Sequence, residues 1–399
     1  MQPRAVQNEK SATLQPLLAV GQTVFHVRRK VGLPGVLVSA VGPDQKEPYW
    51  ETHLAAPLAT EPMVDADSGQ ITAVTSIGAI FHLKTESFER ETAHDQPTVA
   101  LKPAEIRGPV TDVVQLKDRL LVMASGTGAE QLPVFDPQES ERFRWLFLPD
   151  PLAGHPIAFS GGLLAPCEAG QVFLFEPRSG DKLTEPFQPT LASGATVGWS
   201  RAALVGENEI LLAEDRTGLY RIGIKDQPKP HLAALAQVDL AEPLASPIAV
   251  LGNTAYAVDA AQSLCAFELP KLTPGRLRPL GAECVWGPQR LGDHVLLATE
   301  DDRLYCLDAV QEIVWQVALP YGPLAGAPLE IDGHFVLAAQ SGVIWRAEPA
   351  TGNELAKIET GYPLGTGPVR LGDGLLIGGQ DGCLYKVPLP GKGSGKNDE

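Results

Sequence analysis

The stretch LGDGLLIGGQDGCLYKV, residues 371–387, decides the fold of this chain. The same pattern stands twice before it, as IDGHFVLAAQSGVIWRA at residues 331–347 and as LGDHVLLATEDDRLYCL at residues 291–307. Corresponding residues are therefore 40 positions apart in all three copies. A period of this length predicts one supersecondary unit that is stacked on copies of itself.

Each copy is predicted to form a small antiparallel sheet. A Gly-Asp or Asp-Gly pair separates the first two strands, and such pairs suit the type I′ hairpin, in which both central residues need positive φ. A second tight turn carries Gly342 or Gly382, and the third strand has an aromatic residue at a constant place. A glycine-bearing turn then leads to a fourth strand, which holds Trp315 in one copy. Four short strands in about 40 residues correspond to one propeller blade.

The unit recurs with variation towards the N-terminus. The series in the second turn is Gly78, Gly170, Gly218, Gln262, Asp302, Gly342 and Gly382. The aromatic residues beyond that turn are Phe81, Phe173, Tyr220, Tyr305, Trp345 and Tyr385, and we expect them to pack against the neighbouring blade. With a looser copy around Gly126 to Phe135 and a unit at residues 17–54, we find nine hairpin signals. Because propellers usually have 4–8 blades, we predict eight and keep nine as the alternative.

The fold class is therefore all-β: a closed β-propeller of four-stranded antiparallel blades. The 40 glycines and 35 prolines of this 399-residue chain would break helices repeatedly. We predict a flexible segment at residues 1–13, the propeller at residues 14–390 and a disordered tail at residues 391–399. The last unit stops after its third strand, so we expect an N-terminal segment to supply the missing strand and close the ring.

Charge and hydropathy exclude several classes of partner. The net charge of −16 argues against nucleic acid and against docking on anionic lipid, because both need a basic surface. No apolar run approaches the length of a membrane span. The first residues, MQPRAVQNEK, contain no apolar core of a secretory signal. We therefore expect a cytoplasmic protein, or an extracytoplasmic one if a leader or upstream domain precedes this sequence.

Two phrases resemble the PQQ-like repeat, which builds the propellers of quinoprotein dehydrogenases and of BamB-like proteins. They are GPVRLGDGLLIGGQDGCLY at residues 367–385 and EPATGNEL at residues 348–355. The resemblance implies a propeller and leaves three functions open. These are a scaffold that binds a protein or peptide, a PQQ-dependent oxidoreductase, and a ligand-sensing propeller domain.

The residues favour the scaffold over the enzyme. Quinoprotein dehydrogenases resemble one another in a vicinal Cys-Cys pair over the quinone, whereas the five cysteines here are scattered and none are adjacent. Trp199 and Trp286 precede first strands, but a lone tryptophan there is typical of packing. His294 and His334 flank equivalent turns without the further ligands that a metal needs. We predict no enzyme activity, no catalytic residue, no metal and no cofactor.

Strand alternation predicts which loops share a face. The turns between strands two and three lie at the same end of each blade as the connection to the next blade. We call the carboxylates of these turns the acidic rim; they are Glu168, Glu214, Asp215, Asp259, Glu300, Asp301, Asp302 and Asp381. Closure would bring them around one face, where their fields add. The sequence therefore predicts that the acidic rim binds a protein or peptide, which we expect to be basic.

Overall fold

The structure is a computed structural model of the chain. It describes residues 11–13, 16–30, 35–42, 48–89, 96–102, 105, 107–139, 143–310 and 312–391. Strands make up nearly all of the regular structure in these ranges. The predicted loose ends lie mostly outside them, although Ser11–Thr13 forms a strand.

Within the described ranges, the strands group into nine antiparallel sheets. The N-terminal sheet has the order β1-β3-β4-β5, with β2 paired to β3. Its strands are β1 (Ser11–Thr13), β2 (Leu18–Val20), β3 (Thr23–Lys30), β4 (Val36–Val41) and β5 (Trp50–Leu54).

We number the eight following sheets 1 to 8 in chain order. Sheet 1 has β6 (Met63–Val64), β7 (Gln70–Val74), β8 (Ala79–Lys84) and β9 (Val99–Ala100), with a 3₁₀ segment at Thr85–Glu89. Sheet 2 has β10 (Asp112–Gln115), β11 (Leu121–Ala124), β12 (Gln131–Phe135) and β13 (Arg144–Phe147). Sheet 3 has β14 (Ile157–Phe159), β15 (Gly162–Pro166) and β16 (Val172–Phe175). Sheet 4 has β17 (Ala203–Leu204), β18 (Glu209–Ala213), β19 (Gly218–Lys225) and β20 (His231–Asp239).

The remaining four sheets follow the same meander. Sheet 5 has β21 (Ala249–Leu251), β22 (Thr254–Val258), β23 (Ser263–Glu268), β24 (Thr273–Pro274) and β25 (Arg278–Pro279), the last two both pairing with β23. Sheet 6 has β26 (Cys284–Leu291), β27 (His294–Thr299), β28 (Arg303–Leu307) and β29 (Ile313–Ala318). Sheet 7 has β30 (Leu329–Ile331), β31 (His334–Ala338), β32 (Val343–Ala347) and β33 (Glu354–Glu359). Sheet 8 has β34 (Val369–Leu371), β35 (Gly374–Gly378) and β36 (Leu384–Pro388).

The 40-residue period corresponds to a constant strand register. The third-strand aromatic residue faces the same position of the second strand in each copy, where Tyr305 pairs with Leu297, Trp345 with Leu337 and Tyr385 with Ile377. The backbone of the second tight turn is left-handed at four of the predicted glycines and also at the replacements Gln262 and Asp302, whose φ angles are 61° and 56°. The turn geometry therefore persists where the glycine is lost.

Apolar side chains fill the interfaces between successive sheets. Of the six third-strand aromatics, Phe173, Tyr305 and Trp345 are almost fully buried, each against the preceding sheet. The other three, Phe81, Tyr220 and Tyr385, are only half-buried. Among the described residues, eight such clusters follow the chain order, and the last joins sheet 8 to sheet 1 through Leu371, Leu376 and Ile71. Because this series of contacts returns to sheet 1, the packing favours eight blades in a ring, with the N-terminal sheet as the additional unit.

The contact between the N-terminal segment and sheet 8 differs from the predicted strand pairing. Within the described ranges, sheet 8 has three strands and no N-terminal strand pairs with β36. Instead, the backbone of Ala55 and Ala56, just after β5, lies against Gly382 in the second tight turn of sheet 8. In sheet 7 the end of the fourth strand takes this place, where Thr360 N donates to Gly342 O at 2.9 Å. The N-terminal segment therefore reaches the last blade without extending its ladder.

Candidate functional site

The two–three turns and the connections between sheets lie at one end of the sheets, as the strand order predicts. The turn of each of several sheets donates a backbone hydrogen bond to the preceding connection, for example Glu168 N to Pro151 O and Asp215 N to Gly198 O, at 2.9 Å and 2.8 Å. Glu300 N donates likewise to Glu283 O at 2.9 Å. The acidic rim is thus carried on turns that are tied to the connecting segments.

The side chains of three rim residues accept hydrogen bonds within their own turns. Asp259 is only 6% exposed, and its Oδ1 accepts a hydrogen bond from Ser263 N at 2.8 Å. Glu214 Oε1 accepts from Gly218 N at 3.1 Å. Asp381 Oδ1 accepts from Cys383 N at 3.0 Å. Carboxylates that accept backbone N–H groups within a turn stabilise that turn, and the burial of Asp259 does not fit the partner contact that the sequence predicted for it.

Asp381 also pairs with the third-strand aromatic residue of sheet 8. The Tyr385 hydroxyl donates to Asp381 Oδ2 at 2.5 Å, and the Tyr385 ring stacks on Tyr362 with 5.1 Å between centroids. Burial works to raise the pKa of Asp381, but the hydrogen bonds from Tyr385 and Cys383 outweigh it and hold this pKa below its usual value. Burial and the hydrogen bond to Asp381 raise the pKa of Tyr385.

Asp301 is partly neutralised by its neighbours. Its Oδ1 accepts from the Thr299 hydroxyl at 2.6 Å, and its Oδ2 lies 2.8 Å from Nε of Arg303. An exposed ion pair of this kind contributes little stability, but it cancels part of the local negative field. Asp301 is therefore a weaker candidate for partner contact than its two neighbours.

Four members of the rim remain directed to solvent. Asp215, Glu300 and Asp302 are exposed, and Glu168 is half-buried. Their side chains have no hydrogen-bond or ion-pair partner among the described residues. Sheets 3, 4 and 6 carry them, so the available charge is concentrated on a part of the rim.

A second polar group at the same end was not predicted from the sequence. Asp112 at the start of β10, His155 before β14 and Arg201 before β17 converge from sheets 2, 3 and 4. His155 Nδ1 lies 2.8 Å from Asp112 Oδ1, and Arg201 Nη2 donates to the same oxygen at 2.6 Å. The three residues are separated by 43 and 46 positions, so no short motif could reveal the cluster.

The Glu61 carboxylate also accepts hydrogen bonds from other sheets, just before the first strands of sheets 7 and 8. Its Oε1 accepts backbone hydrogen bonds from Ala327 N at 3.1 Å and from Gly367 N at 3.3 Å. Gly326 and Gly367 pack closely here, and a Cβ on Gly367 would overlap the backbone of Ala327. One carboxylate of sheet 1 thereby caps donors on two other sheets.

The opposite end of the sheets holds a small cavity and an ion-pair chain. The cavity, about 320 Å³, lies between sheets 1 and 2 beside Arg119, whose guanidinium binds Asp65 and Gln70. Asp118, the preceding residue, pairs with Arg178 of the next sheet at 3.3 Å. Asp118 and Arg119 have φ of 60° and 61°, so Lys117–Arg119 is a tight turn that directs its side chains to both neighbouring sheets.

Among the tryptophans and histidines considered from the sequence, Trp286 is half-buried against the core between sheets 6 and 7. The other three also contact neighbouring residues. Trp199 is buried between sheets 3 and 4, and its Nε1 donates to Cys167 O at 3.1 Å. His294 contacts the Phe335 ring edge-on at 5.5 Å between centroids, and Nη2 of Arg346 lies 3.0 Å from His334 Nδ1. In the described part of the chain, no three His, Cys, Asp or Glu side chains are grouped as metal ligands. The described ranges also contain no helix that could span a bilayer.

No protein-family model and no curated protein matches this sequence. Among solved structures, the fold is similar to that of BamB from Moraxella catarrhalis, with 95% of this chain and 98% of that chain covered, 11% identity and a TM-score of 0.51. It is also similar to the computationally designed Ika8 protein, with 84% and 97% covered, 12% identity and a TM-score of 0.61. Likeness at these identities concerns the fold alone. The chain is therefore an all-β protein with a β-propeller fold similar to that of BamB.

Proposed function

We propose that this protein is a non-catalytic scaffold that binds a basic protein or peptide through the acidic rim. The observation that carries the proposal is the set of solvent-directed carboxylates Asp215, Glu300 and Asp302 at one end of the sheets. The net charge of −16 supports a cationic partner, because long-range attraction raises the rate of encounter. The likeness to BamB supports a scaffold only as an analogy of fold.

Removing charge from the rim is expected to slow the capture of a basic peptide. The variant Asp215→Asn/Glu300→Gln/Asp302→Asn keeps side-chain size, and asparagine tolerates the left-handed backbone of residue 302. With a fluorescein-labelled ten-residue polylysine as the probe, we expect the association rate at low salt to fall by roughly tenfold. Stopped-flow anisotropy across a salt series measures both the rate and its salt dependence.

The matched control removes the same charge from the opposite end. Glu207, Asp293 and Asp373 are exposed in the one–two turns of sheets 4, 6 and 8. The variant Glu207→Gln/Asp293→Asn/Asp373→Asn should bind the peptide nearly as fast as the parent protein, although its net charge equals that of the rim variant. Equal slowing in both variants would mean that net charge, and not the rim, attracts the peptide.

The non-catalytic part of the proposal is tested with pyrroloquinoline quinone. We expect no rise in melting temperature when the quinone and Ca²⁺ are added, and no dye-linked alcohol oxidation. The reason lies in the residues: the chain has no adjacent cysteines, and Trp199 is engaged between sheets 3 and 4. A ligand whose free concentration is one hundred times its Kd stabilises a fold by about 2.7 kcal/mol. A rise in melting temperature that corresponds to this stabilisation, together with a spectral change of the quinone, would contradict the proposal.

A further inference from the structure

The Asp112–His155–Arg201 cluster places two potential donors beside one buried carboxylate. Asp112 has a side chain only 5% exposed, whereas those of His155 and Arg201 are 43% and 52% exposed. The carboxylate therefore lies beneath, and the imidazole and guanidinium face solvent. They are adjacent, since Arg201 Nη2 and His155 Nδ1 are 3.4 Å apart.

Asp112 acts as the anchor of the cluster. Its Oδ1 is within hydrogen-bond distance of both His155 Nδ1 and Arg201 Nη2. Its Oδ2 accepts a hydrogen bond from the Thr111 hydroxyl at 3.0 Å. Burial works to raise the pKa of Asp112, but the hydrogen bond and charge of His155 and the charge of Arg201 outweigh it, so this pKa lies below its usual value. The ionised carboxylate therefore orients the two outer groups.

Arg201 keeps most of its hydrogen-bonding capacity. A guanidinium has five N–H donors in a planar fork, and within the described residues only Nη2 of Arg201 has an acceptor. The fork matches a carboxylate in shape and charge. Nε2 of His155 has no partner in the described ranges and adds a further donor when the imidazole is protonated. The arrangement is that of a site for one carboxylate.

Glu61 shows that this end of the sheets accepts carboxylates. There, the chain itself supplies the carboxylate for the N–H donors of Ala327 and Gly367. At sheets 2 to 4, the chain supplies only the buried Asp112, and the outward donors of Arg201 remain available. We propose that His155 and Arg201 bind one carboxylate of the peptide whose basic residues contact the acidic rim, an inference that rests on the proposed function.

The proposal predicts that the protein prefers a peptide with a carboxylate over a peptide without that side chain. Net charge alone predicts the opposite preference. The probes are two fluorescein-labelled peptides, KKGEGKK and KKGQGKK, whose Kd values are measured by fluorescence anisotropy at low salt. The glutamate peptide carries less positive charge, so attraction to the rim alone makes it the weaker ligand. A half-exposed carboxylate–arginine pair can contribute up to about a fivefold gain in affinity, and we expect the glutamate peptide to bind about threefold tighter.

Substitutions at Arg201 test whether this residue causes the preference for the glutamate peptide. Arg201→Gln should reverse it, and Arg201→Lys should lose most of it, because an ammonium lacks the fork. Arg216→Gln is the matched control, since Arg216 is an exposed arginine in the two–three turn of sheet 4 and its loss changes the net charge equally. Melting curves show whether each variant is folded.

The outcomes separate the two proposals. If both peptides bind with rim-dependent rates and the glutamine peptide is the tighter, the carboxylate site is wrong and the rim proposal stands. Persistence of the glutamate preference in Arg201→Gln also overturns the site. Failure of both peptides to bind the parent protein overturns the rim proposal and the site together.

Discussion

Deleting residues 364–388 is expected to abolish the single cooperative unfolding of the propeller. The deletion removes sheet 8, whose Leu371 and Leu376 pack on Ile71 of sheet 1 and whose Leu375 and Ile377 pack on sheet 7. Both neighbouring sheets would then expose apolar faces and strand edges, which favour aggregation. Differential scanning calorimetry of the truncated and intact chains measures the change. A truncated chain that melts like the intact one would show that sheet 8 does not close the ring.

A point substitution tests the same contact without removing backbone. Leu376 is fully buried between sheets 8 and 1, and Leu376→Ala should lower the free energy of unfolding by about 2–5 kcal/mol. Leu355 on β33 is 50% exposed, so Leu355→Ala should change it by less than about 0.5 kcal/mol. Equal effects of the two substitutions in urea unfolding would contradict the importance of this interface.

Gly342→Ala is expected to be the most damaging of the single-methyl substitutions in the turns. Gly342 has φ of 100°, and its added Cβ would lie 2.5 Å from the backbone oxygen of Tyr362. The left-handed backbone costs about 1–2 kcal/mol for a residue with a side chain, and overpacking costs about 1–3 kcal/mol more. We therefore expect urea unfolding to show a loss of about 2–5 kcal/mol.

Gly361→Ala separates these two causes. Gly361 is also left-handed, with φ of 76°, but its added Cβ would meet no atom within 4 Å. Only the backbone cost of about 1–2 kcal/mol remains. If the two variants are equally destabilised, the approach of Tyr362, just after the fourth strand, to Gly342 has no energetic effect.

Much of the blade could be predicted because its determinants are local. The turn residues and the aliphatic second strand specify a hairpin within a few positions, and the register of Tyr305, Trp345 and Tyr385 follows from the period. The face of the two–three turns was also predictable, because strands alternate in direction. The expected N-terminal strand in sheet 8 was less reliable, since it depended on a contact between the two ends of the chain, which no local pattern encodes.

The candidate site was likewise only partly predictable from local sequence. The sequence by itself determined the all-β class, the repeated four-stranded unit, the negative charge and the turns that carry the acidic rim. Tertiary structure alone decided which rim carboxylates are buried and which are exposed: Asp259 is buried, whereas Asp215 faces solvent. It also assembled Asp112, His155 and Arg201 from three sheets. The physical reason is that the burial of a side chain depends on packing against neighbouring sheets, and that the cluster joins three sheets whose separation in the chain leaves no motif.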